Sequence, residues 1–227
     1  MAIIIISGAG VSADSGLGTF RSKDGLWSQH NLDRVCNIDT WQDNYAEMHD
    51  FYNNRRIEMA AAEPNNFHKA VARWEQQYDV INITQNIDDL FERAGCKEVT
   101  HLHGFYKDMK CMACKANWQI EGAWDITNTC PGCASDRDVK PGVVFFGEDA
   151  PRYRDLDLHL HDIEAGDVVI VAGTSEQVVN VSSRIKYRHS YNIWVNPTTQ
   201  PFGTYQMVIH KSAGAAAEDI DAFLRTR

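Results

Sequence analysis

Residues 2–6, Ala-Ile-Ile-Ile-Ile, form an unbroken apolar, β-branched run; a strand of that character has to be covered on both faces, as in the middle of a parallel sheet. It leads at once into Ser7-Gly8-Ala9-Gly10-Val11-Ser12-Ala13, a Gly-x-Gly-x-x-Ala turn. Glycines at such a turn let the backbone approach a pyrophosphate, and the N–H groups of the element that follows face its charge. An ordinary glycine-rich connection has the same composition. No second strand ending in an acidic residue follows about twenty residues later, so the usual dehydrogenase pattern is broken. A loop-like run over 15–27 follows instead, and it reads as a flap over a nucleotide with Phe20 and Arg21 as its contacts.

The next buried strand, 78–84, delivers a crowd of short polar groups, Thr84, Gln85, Asn86 and Asp88, where a parallel strand presents its carboxyl end to a ligand. An amphipathic segment through Leu90 and Phe91 closes at Gly95, and Thr100-His101-Leu102-His103-Gly104 alternates apolar and histidine side chains. On an extended strand, residues two apart share a face, so both histidines are candidates for one pocket. Further apolar strands are read over 167–172, 191–195 and 204–209. The first ends in Gly173-Thr174-Ser175 and the second in Asn196-Pro197, with Asn196 placed as a ribose hydrogen-bonding group. Helices are read over 43–62, 66–77 (capped by Asn65 or Asn66), 156–164 and the carboxyl-terminal segment. His159 and His161 are expected in solvent.

This order predicts an α/β fold, a Rossmann-like doubly wound parallel sheet with a second, smaller zinc-binding lobe. Residues 1–42, 64–104 and 147–227 are assigned to the sheet, and 43–63 and 105–146 to the lobe. A cleft between them is the natural ligand site.

The helix over 43–62 carries Tyr45, Met48, Tyr52, Arg55 and Met59 on one face. A guanidinium on an apolar face needs an anion, because an unpaired buried charge costs several kcal/mol. A structural salt bridge satisfies that need, and so does a ligand carboxylate gripped jointly by Tyr52 and the Arg55 fork. Cys111-x-x-Cys114 and Cys130-x-x-Cys133, fifteen residues apart, have zinc-knuckle spacing; four thiolates leave no open position for water, so one structural zinc is expected. Its binding supplies on the order of 10 kcal/mol to a segment with little core of its own. A redox dithiol is the alternative. Residues 140–148, Lys-Pro-Gly-Val-Val-Phe-Phe-Gly-Glu, read as a strand whose edge, at Val144, Phe146 and Gly147, suits either an extended peptide or a plain connection.

A net charge of −9 speaks against nucleic acid or an anionic membrane as partner, and the apolar amino-terminal run is far too short to span a bilayer. Cysteines paired as two knuckles fit a reducing, cytoplasmic compartment better than a disulfide framework. The oligomeric state is left open, a monomer included.

Together, GAGVSADSG…FR (Gly8 to Arg21), TQNID (Thr84 to Asp88), HLHG (His101 to Gly104), the four cysteines, VVFFGE (Val143 to Glu148) and GTS (Gly173 to Ser175) resemble the sirtuins, NAD-dependent protein lysine deacylases, over nearly the whole chain. Within that family Tyr52-Asn-Asn-Arg55 and Thr19 resemble class III, whose members remove succinyl and malonyl groups, so the resemblance turns Arg55 from a salt bridge into a free guanidinium awaiting a carboxylate. It implies that Gly8, Ala9, Gly10, Phe20, Arg21 and Trp27 cover NAD, and that Gln85, Asn86 and Asp88 hold the ribose and nicotinamide amide. Gly173, Thr174, Ser175, Asn196 and Ala213 line the adenosine side, and Val144, Phe146 and Gly147 bind the acyl-lysine protein or peptide. It implies His103 as the general base toward ribose hydroxyls, after the acyl oxygen has attacked the ribose carbon and nicotinamide has left; the products are free lysine, nicotinamide and O-acyl-ADP-ribose. Asn180 and Pro197 depart from the family's pattern. NAD hydrolysis, ADP-ribosyl transfer and a non-catalytic nucleotide-binding module are the competing functions.

Overall fold

The structure is a computed structural model that describes residues 1–19, 32–198, 201 and 205–227. The four isoleucines alternate across the first strand, β1 (Ala2–Ser7): Ile3 and Ile5 face one side and Ile4 and Ile6 the other, and none is more than 1% exposed. Such a strand needs a neighbour on each edge as well as a layer on each face. It pairs in parallel with β2 (Asp79–Thr84) and with β7 (Val168–Ala172), Ile4 lying opposite Ile81 and Val169.

With β3 (Val99–His101), β8 (Tyr191–Val195) and β9 (Met207–Ile209), the sheet runs β3-β2-β1-β7-β8-β9, parallel throughout. The strand order reverses at β1, which puts the switch point at the carboxyl ends of β1, β2 and β7. One face is covered by α3 (Asn66–Trp74), α4 (Leu90–Ala94) and α7 (Ala213–Leu224) through Phe67, Trp74, Phe91, Ile220 and Leu224. The other is covered by α5 (Tyr153–His161) and α6 (Val181–Ile185) through Leu156, Leu160, Val181 and Ile185.

A second sheet, order β5-β4-β6, is antiparallel and built from β4 (Gly104–Cys111), β5 (Asn117–Gln119) and β6 (Val139–Val143). The long α2 (Tyr45–Ala61) buries Tyr45, Met48, Tyr52, Arg55 and Met59, the face its periodicity predicts. Arg56 is buried too: its Nε donates to Tyr106 O at 3.0 Å, so the helix is tied to β4 by a charged side chain. A short helix, α1 (Leu32–Val35), and Cys36 and Trp41 pack into the cluster of Tyr45, Met48, Phe51, Tyr52, Val143 and Phe145.

Several boundaries differ from the sequence reading. α3 stops at Trp74, and 75–77 turn. β6 ends at Val143; residues 145–148 make a turn instead, because Gly147 sits at φ +81° and the Glu148 carboxylate takes the Phe145 N–H at 3.1 Å. α5 begins at Tyr153, three residues before the first apolar position. His161 is exposed and His159 half-buried. Residue 204, read as the start of the last strand, lies outside the described residues, as do the flap residues Phe20, Arg21 and Trp27.

The turns after β1 and β7 meet backbone to backbone: Gly10 N–H donates to Gly173 O at 2.8 Å, and a Cβ on Gly10 would stand 2.8 Å from the Gly173 backbone. Gly173 itself is at φ +63°. Gly173→Ala, which adds both a clash and a left-handed non-glycine residue, is expected to cost about 2 kcal/mol or more in urea unfolding. A loss under about 0.5 kcal/mol, the range of an inert surface change, would contradict the contact.

Candidate active site

At the switch point, polar side chains are used against one another. Ser7 Oγ donates to Thr84 Oγ1 at 2.9 Å, and the same oxygen accepts the Asn86 N–H at 3.0 Å. Gln85 is held through its N–H to Ser7 O at 2.9 Å and through Nε2 to Thr174 Oγ1 at 3.3 Å. Asn86 Nδ2 donates to Ser12 Oγ at 3.0 Å, and Ser12 Oγ to Asp88 Oδ2 at 2.9 Å. Burial pushes the Asp88 carboxyl above its ordinary range, opposed by Ser12, the Leu90 N–H and the nearby His101. The first glycine turn, Gly8, Ala9 and Gly10, lies against Gly173 and Thr174, and Asp14 Oδ2 takes the Gly214 N–H at 2.9 Å, which brings Ala213 at the start of α7 to the same rim.

Asn196 is buried at the end of β8, where it donates to Thr174 O at 3.0 Å and accepts the Thr198 N–H at 3.1 Å. Ser175 is half-buried. The departure at Asn180 has a local reason: its side chain caps α6, accepting the Ser183 N–H at 2.9 Å.

The two histidines do not share a face. β3 ends at His101, and Leu102 and His103 turn, so the rings take different partners. His101 Nδ1 lies 2.7 Å from Asn86 O and Nε2 2.8 Å from Glu92 Oε1. Burial alone would lower its pKa, but the hydrogen bond and charge of Glu92 outweigh burial and raise it. Both nitrogens face fixed acceptors, so neither is turned toward a ligand. His103 Nδ1 lies 2.9 Å from Gln85 O and Nε2 2.8 Å from Tyr153 Oη. Burial lowers its pKa, only partly opposed by the Gln85 carbonyl. A carbonyl only accepts, so Nδ1 carries the proton and Nε2 is basic.

From His103 a backbone path leads to α2. Val144 N–H donates to His103 O at 2.9 Å, and Phe146 N–H to Cys36 O at 2.7 Å. Phe145 stacks on Tyr52, ring centroids 5.7 Å apart. Val144 is half-buried, and Phe146 and Gly147 are exposed. The turn is braced from beneath by Lys140, 1% exposed, whose Nζ reaches Val143 O at 2.6 Å and Glu148 Oε2 at 3.0 Å and lies 4.0 Å from the Phe145 ring centroid. Burial pulls Lys140 down to about 8, against the pull of Glu148.

Tyr52 Oη donates to Cys36 Sγ at 3.4 Å, and burial pushes that thiol up to about 11. The free guanidinium expected at Arg55 is corrected: Arg55 Nη1 pairs with Glu58 Oε2, one helical turn on, whose side chain is 54% exposed. Three residues along a helix places the carboxylate alongside, and a buried charge takes the nearest anion. Sequence reasoning missed Ser12, Cys36, Arg56, Lys140 and Tyr153 as participants. For Ser12 the signal was its place in the glycine turn; Tyr153 carried none, because its helix was started at Leu156.

The four cysteines converge, their sulfurs all within 4.8 Å of one another. Cys111 Sγ to Cys133 Sγ is 3.7 Å and Cys114 Sγ to Cys130 Sγ 3.6 Å. A tetrahedron with zinc–sulfur bonds of about 2.3 Å has edges of about 3.8 Å, so the set fits a closed zinc site.

A parallel sheet with a glycine turn at its switch point and an inserted four-cysteine lobe defines a nucleotide-binding class of protein. Within that class the chain belongs to the Sir2 family, whose model matches residues 8–180. A Helicobacter hepaticus protein named NAD-dependent protein deacylase is 38% identical over 209 residues, 83% of this chain and 80% of its own length. One from Archaeoglobus fulgidus named NAD-dependent protein deacylase 1 is 36% identical over 98% of this chain and 91% of its own. A solved Sir2 homolog–NAD complex superimposes with a TM-score of 0.87 at 34% identity, covering 99% of this chain and 90% of the other. No helix among the described residues is long and apolar enough to cross a membrane.

Trp118 and Trp124 pack beside Cys111 and Cys130, their rings 5.8 Å apart. Elemental analysis is expected to find one zinc per chain, and a strong chelator to red-shift tryptophan emission as this lobe loosens. A protein that is metal-free as purified and spectrally indifferent to chelation would refute the zinc assignment.

Proposed function

We infer that this chain is an NAD-dependent protein lysine deacylase whose acyl pocket, built on Tyr52 and Arg55, prefers acidic acyl groups such as succinyl and malonyl. The observation that carries the reading is His103: a half-buried, neutral imidazole with its basic nitrogen turned away from the protein backbone, at the rim where the polar ends of β1, β2 and β7 converge. NAD supplies the ribose carbon that receives the acyl oxygen and the nicotinamide that departs.

The chain's own groups divide the remaining work. Gly8, Ala9 and Gly10 bring bare backbone to the phosphates, with Phe20, Arg21 and Trp27 assigned to the covering flap. Gln85, Asn86 and Asp88 hold the nicotinamide ribose and amide, and Gly173, Thr174, Ser175, Asn196 and Ala213 the adenosine side. Val144, Phe146 and Gly147 line the path of the substrate, the Val144 and Phe146 N–H groups being held by His103 O and Cys36 O, and their turn is stiffened by Lys140 and Glu148. His103 Nε2 takes a proton from a ribose hydroxyl, and the Gln85 carbonyl keeps the ring in the tautomer that can do so. Zinc on Cys111, Cys114, Cys130 and Cys133 stiffens the small lobe and takes no part in the chemistry. We assign residues 43–63 and 105–146 to that lobe and the remainder to the sheet domain, with 32–41 bridging them through their packing on α2.

The acidic preference rests on the buried Arg55 and the Tyr52 hydroxyl. A succinyl or malonyl carboxylate would replace Glu58, which is half in water and returns to it at little cost. A charge-assisted pair of this kind contributes about 2 kcal/mol, roughly thirtyfold in rate. Arg55→Met is accordingly expected to lose about thirtyfold in kcat/KM on succinyl-lysine peptides while changing acetyl-lysine turnover less than about threefold; equal losses on both would refute the pocket.

A second expectation concerns pH. Burial disfavours imidazolium, so His103 stays neutral to lower pH than a free histidine, and the acid limb of kcat/KM should fall below the ordinary value of 6.5. A limb at or above that value would count against His103 as the free enzyme's base.

A further inference from the structure

His103 has one in-plane lone pair to offer a substrate, and the structure already fills it. With Nδ1 donating to Gln85 O, the contact of 2.8 Å between Nε2 and Tyr153 Oη has only one sense: the phenol donates and the imidazole accepts. The ring planes are inclined at 55° with centroids 5.8 Å apart, so the phenol does not stack on the imidazole. Tyr153 is the first residue of α5 and half-buried, its ring packed against the cluster that contains Leu156 and Leu160. Burial raises the phenol pKa, with Arg184 pulling the other way, so the group keeps its proton in neutral solution.

Two hydroxyl donors cannot share that lone pair. A ribose hydroxyl that is to give its proton to His103 has to stand where the Tyr153 hydroxyl stands. We propose that Tyr153 is a resident competitor of the co-substrate: in the free enzyme its hydroxyl occupies Nε2 and holds the ring aligned, and it must swing off that nitrogen before the base can act. This rests on the reading of His103 as general base. The position suits the task, because a half-buried side chain in the first turn of a surface helix, preceded by the exposed residues 151 and 152, has water on one side to turn into. A relay, in which the phenol passes the proton from ribose to Nε2 and stays in place, uses the same contact but predicts the opposite kinetics.

Tyr153→Phe keeps the ring and removes the donor. A neutral hydrogen bond of ordinary strength corresponds to about a fivefold effect, so kcat/KM for NAD at saturating acyl peptide, on the alkaline plateau, should rise about fivefold. Because the lost bond favoured the neutral ring, the His103 titration followed by NMR in the free protein should move up toward the ordinary histidine value, and the acid limb of kcat/KM should move with it. A packing defect alone would produce neither shift. A fall in kcat would overturn the competitor role in favour of a relay. An unchanged NMR titration would overturn it by showing that the contact is not made in solution. The NMR reading needs no turnover. If it shifts while the parent protein turns over no acyl-lysine peptide, the competitor role falls together with the deacylase reading, and the contact alone survives.

Discussion

The contact on which this site depends is made by backbone alone. Gly10 N–H reaches Gly173 O at 2.8 Å, and Gly8 N–H reaches Ala172 O at 3.0 Å. Side chains on either glycine turn would hold β1 and β7 apart at the rim, and the groups that follow would have no common focus. With the turns interlocked, Thr174 comes within reach of Gln85, whose carbonyl then sets the proton on His103. A short chain of ordinary hydrogen bonds thus runs from a steric fact about glycine to the protonation state of an imidazole.

Two histidines two residues apart are given opposite electrostatic fates by what stands behind them. Both donate Nδ1–H to a neighbouring carbonyl, of Asn86 for His101 and of Gln85 for His103. The difference lies at Nε2. A carboxylate there, Glu92, raises the His101 pKa and ties the strand end to α4; a neutral phenol there, with burial unopposed by any anion, leaves the His103 pKa lowered. The same contrast recurs at Lys140, which is kept buried because Glu148 and two carbonyls meet its three donors, and the turn 145–148 inherits its shape from that arrangement.

Much of this architecture is written locally and was legible as such. Continuous β-branched runs mark strands buried on both faces, the cysteine spacing marks the zinc lobe, and the helical period of Tyr45, Met48, Tyr52, Arg55 and Met59 marks the face that α2 buries. What was not legible is pairing between distant residues. Nothing in the neighbourhood of Tyr153 says that it will meet His103, fifty positions away, and the apolar period that locates α5 begins only at Leu156. Cys36 gives no hint of Tyr52, nor Arg56 of Tyr106. Arg55 fails in the other direction: its partner, Glu58, is three residues off and in plain view, and the expectation of a free guanidinium passed over the local rule that such neighbours pair. For His101 and His103 the error was one of period, a turn read as a strand.

The central claim is that acyl removal and NAD cleavage are one coupled reaction at His103. The most direct measurement is the stoichiometry of products from purified protein, NAD and a succinyl-lysine peptide, followed by mass spectrometry. The account predicts equal amounts of nicotinamide, free lysine peptide and O-acyl-ADP-ribose, with no nicotinamide formed when the peptide is left out. Nicotinamide released at the same rate without peptide, or acyl groups freed as the simple acid while NAD remains intact, would contradict it.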